Sequence, residues 1–190
     1  MKKPKYDWHL GPYGRIICEN GDTVLNICTY GDRPNIMCFI RVAYFETPHE
    51  AVWRGGHKVG YTGPGWRYGL SAWVGGGWSL LSLDGGKDQS YICADSTPYA
   101  TRQAAIKGAL HEFVTECDRW LQIPSDSSRA YHTHYGLISR PGREQLAYYL
   151  CMPEWEPMWL LLEEYLKYDD WLIDVRTPKT TQPVQQLALF

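Results

Sequence analysis

No run in this sequence approaches the roughly 18 apolar residues that a membrane-crossing helix requires. The longest apolar block, "MWLLL" (158–162), has the length of a core helix segment, so no membrane span is expected. Charge of one sign is also missing. The formal net charge is -2, and bulk electrostatics therefore give no support for nucleic-acid binding, although a basic face can sit inside a neutral total. The six cysteines, Cys18, Cys28, Cys38, Cys93, Cys117 and Cys151, form no Cys-x-x-Cys pair, which argues against a zinc knuckle. "GPGW" (63–66) and "GGGWS" (75–79) are Gly-rich, yet neither continues as a P-loop or as a strand-GxGxxG-helix unit. These glycines read as sharp turns between strands. Behind "MKKPKYDWHLGPYGR" (1–15) there is no apolar run, so no secretory signal is expected. A cytoplasmic protein with reduced core thiols follows from that.

Phe is scarce, at four, beside nine Trp and fourteen Tyr. Aromatics with a polar handle suit a half-exposed sheet, a recognition surface or simply a small core. With 44% hydrophobic and 21% charged residues, the 190-residue chain is a globular domain rather than a disordered one.

"RIICENGDTVLNICTY" (15–30) carries Asn20-Gly21, the dipeptide of a type I′ hairpin, which would set Ile17 opposite Val24. Cys18, Cys28 and Cys38 would then each be a small buried residue on one of three neighbouring strands. "NIMCFIRVAYFE" (35–46) puts Ile36, Cys38, Ile40, Val42 and Tyr44 on one face and Met37, Phe39, Ala43 and Phe45 on the other. Two apolar faces predict a central, covered strand. After a Gly- and Pro-rich loop (47–65), strands are expected at 66–74, 78–84 and 89–94, joined by "GGG" and "GGKD" into an antiparallel meander.

From Thr101 the period changes. Ile106, Leu110, Phe113, Cys117, Trp120 and Leu121 recur at three-and-four spacing, with Thr101 as N-cap and Pro124 as stop. Residues 124–134 read as a polar loop, and 141–152 and 156–172 as two shorter helices. Trp159, Leu160, Leu162, Tyr165 and Leu166 are expected on the buried side of the second, with Pro157 in its first turn. From Thr177, "TPKTTQPVQQ" has no apolar period and reads as an extended linker. The expected fold class is α+β: an antiparallel meander sheet packed on one long helix, with a C-terminal helical pair and a disordered tail. The expected division is 1–124 for the sheet and long helix, 125–176 for the helical extension, and 177–190 for the linker and its terminal peptide.

Catalytic constellations do not complete themselves. His132 and His134 could share a metal from alternate positions of a strand, but no third ligand falls at a suitable spacing, so a polar loop and no metal are expected. Cys117 lies on the helix stripe and reads as core, with no Cys-His signature beside it. Glu163 with Glu164 and Asp169 with Asp170 are adjacent on a helix surface and do not face each other. No cofactor is implied. Arg41, Arg54, Lys58, Arg67 and Lys87 are interleaved with Trp53, Tyr61, Trp66, Tyr68 and Trp73. Cations among stacking rings are how sheets hold single-stranded nucleic acid, which makes Arg54, Lys58, Trp66, Arg67, Tyr68 and Trp73 candidate DNA contacts.

The last feature is the tail itself. It closes with Leu187, Ala188, Leu189 and Phe190 behind a polar stretch, where most chains end on polar residues. An apolar tip on a flexible linker suits a docking peptide, because only a few residues are ordered on binding. "QLALF" (186–190) resembles the peptide by which bacterial replication and repair proteins bind the β sliding clamp, whose pattern is Gln-Leu-any-Leu-Phe. All four specified positions match, a coincidence of roughly 1 in 10⁵ per window at average residue usage. The resemblance covers those five residues alone. It implies the sliding clamp as partner, with Leu187 entering one apolar pocket, Leu189 and Phe190 a second, and Gln186 hydrogen-bonding at the rim. It also implies a role in DNA replication or repair, or in phage or plasmid interference with them. The alternatives are a single-stranded nucleic-acid-binding module and an enzyme with its site in the Gly-rich 54–88 region. For the tail itself, the alternative is a segment folded back on an apolar patch of the domain.

Overall fold

The computed structural model describes residues 5–11, 15–29, 36–46, 53–54, 57–58, 63–74, 78–81, 91–121, 131–133, 136–138 and 149–167. The strands, in chain order, are β1 (Trp8–Leu10), β2 (Ile16–Cys18), β3 (Asp22–Cys28), β4 (Ile36–Phe45), β5 (Trp53–Arg54), β6 (His57–Lys58), β7 (Gly65–Val74), β8 (Trp78–Leu81) and β9 (Ile92–Cys93). Helix α1 (Arg102–Leu121) follows, then β10 (Tyr131–Thr133), β11 (Gly136–Ile138), a 3-10 turn (Pro153–Trp155) and helix α2 (Glu156–Leu166). The fold is α+β.

The expected meander is the antiparallel sheet β3-β4-β7-β8. Its spine is the ten-residue ladder between β4 and β7, running from Ile36 opposite Val74 to Phe45 opposite Gly65. A small ribbon, β5 with β6, is inserted between those two strands in the chain. The β-branched and aromatic residues of β4 suit a strand covered on both sides. One face, with Ile36, Cys38, Ile40 and Val42, joins Leu70 and Ala72 of β7 in the main core beneath α1. From the other face Ala43 packs with Cys18 and Ile92, and Phe45 with Ile16 and Ala94. That second layer is a three-stranded antiparallel sheet in the order β1-β2-β9.

The layering overturns two expectations. Asn20-Gly21 does not close a hairpin, because β2 pairs with β1 and β9 while β3 pairs with β4. Among the described residues positive φ occurs only at Lys167, Gly63 and Gly65, so the type I′ geometry is absent from this corner. Gly21 is there for room: a Cβ would lie 2.5 Å from Ile92 Cδ1 and 3.0 Å from the Val42 carbonyl oxygen. Asn20 instead anchors the N-terminal segment. Its side-chain oxygen accepts from the Asp7 N–H at 2.7 Å and from Cys18 Sγ at 3.2 Å, and its amide donates to the Lys5 carbonyl at 3.3 Å. Val24, expected opposite Ile17, sits where the β3–β4 register shifts between Thr23 and Leu25. Likewise β9 leaves the meander and pairs with β2.

Helix α1 starts as expected. The Thr101 hydroxyl accepts from the Ala104 N–H at 3.1 Å, satisfying one orphan donor of the first turn. Ile106, Leu110, Phe113 and Cys117 are all fully buried. Gly108 faces the Tyr99 ring, where a Cβ would come within 2.6 Å of Cζ. The 3-10 turn and helix α2 lie against α1 through three rings. Phe113 is 5.4 Å from Trp155 and 6.3 Å from Trp159, and the two Trp rings are 6.2 Å apart. Burying each such side chain contributes about 1.5–3 kcal/mol, so α2 belongs to the main core.

Helix α2 is shorter than its composition suggests. Lys167 adopts the left-handed conformation at φ 53°, its N–H donating to the Glu163 carbonyl, and the helix stops there instead of at residue 172. Its buried residues are Met158, Trp159 and Leu162; Leu160, expected inside, is 57% exposed, one-third of a turn past Trp159. Residues 131–133, expected within a loop, pair with 136–138 as a hairpin. Cys18 and Cys38 are buried as expected, but Cys28 is exposed, and Cys18 lies in the other sheet. Of the expected helix 141–152, residues 149–150 are helical and 141–148 lie outside the described residues, as does the linker 177–190.

Candidate functional site

The alternation of β7 divides the expected nucleic-acid contacts. Trp66 and Tyr68 fall on the α1 side of the sheet and Arg67 on the other. Trp66 is half-buried. Its backbone exchanges hydrogen bonds with Tyr99 at 2.9 Å each way, and its ring meets Tyr6 at 6.1 Å and Tyr44 at 5.7 Å, edge to face in both cases. Tyr68 packs beside Tyr99, with ring centroids 5.8 Å apart, and its hydroxyl donates to Glu112 Oε2 of α1 at 2.5 Å. Burial, and then the Glu112 carboxylate, push the Tyr68 hydroxyl far above its ordinary pKa, so it remains a neutral donor.

Arg67 must be removed from the expected nucleic-acid contacts. Its side chain is fully buried. Nε and Nη2 donate to the Ala94 carbonyl at 3.4 Å, Nη1 to the Trp66 carbonyl at 3.4 Å, and Nη2 also to the Gly63 carbonyl. The guanidinium lies 5.8 Å from the Phe45 ring. Burial lowers its pKa and Asp95 opposes that shift. A cation committed to backbone carbonyls has no donors facing a phosphate; it ties the turn before β7 to the loop after β9.

Arg54 and Lys58 lie on the β5–β6 ribbon, where Arg54 pairs with His57 and Lys58 with Trp53. Trp73 lies on β7 opposite Met37 and Ser79. The side chains of Arg54, Lys58 and Trp73 are outside the described residues, as are Tyr61, Lys87 and most of the Gly-rich stretch 75–90. His132 pairs with Leu137 in the β10–β11 hairpin, and His134 is outside the described residues. Among the described residues no group of three His, Cys, Asp or Glu could hold a metal ion.

A polar cluster that the sequence did not suggest joins three elements. Asp22, at the start of β3, accepts from Lys5 Nζ at 2.8 Å and from the Tyr6 hydroxyl at 2.9 Å, with Arg102 Nε of α1 at 3.8 Å. The bond from Lys5 is the first cause holding the Asp22 carboxyl below its ordinary value. Its members are scattered through the chain without a common period, which is why no local pattern announced them.

Gln186, Leu187, Leu189 and Phe190 lie outside the described residues, which end at Lys167. The 18 residues 168–185 could span at most about 65 Å if extended. Comparison with known protein families, with curated proteins and with solved structures finds no match to this chain. Among the described residues no helix is long and apolar enough to cross a membrane.

Proposed function

We propose that this chain is an accessory or effector protein recruited to the β sliding clamp of bacterial DNA polymerase by its terminal Gln186–Phe190 peptide. It would act in replication or repair, or in phage or plasmid interference with them. One observation carries this reading: "QLALF" satisfies all four specified positions of the clamp-binding pattern, at the end of a Thr- and Pro-rich stretch. Leu187, Leu189 and Phe190 would supply about 5–9 kcal/mol of gross apolar burial. Ordering the peptide takes back several of these, so apolar burial alone leaves a weak contact, between tens of micromolar and millimolar. Contact of that strength recruits a protein and still allows exchange.

The test is direct binding to purified clamp by a peptide of residues 181–190 and by the whole protein, with Leu189→Ala/Phe190→Ala as control. The peptide should bind between tens of micromolar and millimolar, and the double variant should lose measurable binding in the whole protein. Full-strength binding by the double variant would place the contact elsewhere, and no binding by either ligand would remove the clamp as partner.

A further inference from the structure

We draw no further inference here: the strongest candidate, the Lys5, Tyr6, Asp22 and Arg102 cluster beside Trp66 at the N-terminal end of α1, rests on a helix N-terminus whose two neighbouring cations already share one carboxylate, with no second observation that points to a ligand.

Discussion

Arg67 separates a structural role from a recognition role, and the two give opposite experimental results. In Arg67→Met the aliphatic bulk is largely kept while the guanidinium donors are lost. The Ala94 and Gly63 carbonyls then lose the partner that the guanidinium provides. The Trp66 carbonyl keeps its bond from the Tyr99 N–H at 2.9 Å. A buried polar group left unsatisfied costs about 1–3 kcal/mol, so two of them give about 2–6 kcal/mol. Water entering beside Gly63 would move the result to the lower end. For a chain of this size each kcal/mol lowers Tm by about 2–4 °C, so a 4 kcal/mol loss corresponds to about 8–16 °C. Arg67→Lys should fall between the two, since a single ammonium cannot reproduce a fork aimed at separate carbonyls. Urea unfolding and a thermal melt of the three proteins measure this. Fluorescence anisotropy with a single-stranded oligonucleotide, under conditions where all three are folded, measures the alternative. A Met variant with an unchanged urea midpoint but weakened oligonucleotide binding would refute the assignment of Arg67 to the interior.

Acid should loosen the N-terminal segment. The Asp22 carboxyl is held below its unfolded value near 3.8, so its stabilising effect is complete above that pH and is lost as pH falls through the lower folded-state value. Asp22→Asn should flatten that part of a urea-midpoint profile between pH 5 and 2, and an unchanged slope would mean the cluster is not formed in solution. Gly108→Ala should destabilise, despite alanine's better helix propensity, because the methyl group would meet the Tyr99 ring; Gly108→Ala/Tyr99→Leu should recover part of the loss. A stabilised single variant, by circular dichroism melting, contradicts that packing. Exposed Cys28 and Cys151 should react first with a thiol reagent at pH 8. Burial pushes the Cys18 thiol up to about 11 from 9.0, which alone lowers its thiolate fraction about 100-fold, and it also raises Cys38 and Cys117 well above the ordinary thiol value. Cys38 or Cys117 labelling as fast as Cys28, read by mass spectrometry, would count against the core described here.

Signals that are local in the chain were legible, and those that depend on distant partners were not. The α1 stripe, the Thr101 cap and the two-faced β4 each follow from residues within a few positions of one another. The Asn20-Gly21 corner misled because the dipeptide reports only that a turn is tolerated. Which strand comes next to β2 is decided by β1 and β9, the latter more than 70 positions away. Arg67 misled for a related reason. A cation between two aromatic residues looks alike on a recognition surface and at a buried junction, and only the carbonyls of Gly63 and Ala94 distinguish them. The same asymmetry bears on the tail. A docking peptide of the kind proposed is read by its partner's pockets, so its pattern can be complete within five residues even where comparison with known families finds no match to the chain. The recruitment proposal therefore stands or falls on whether residues 186–190 themselves bind the clamp.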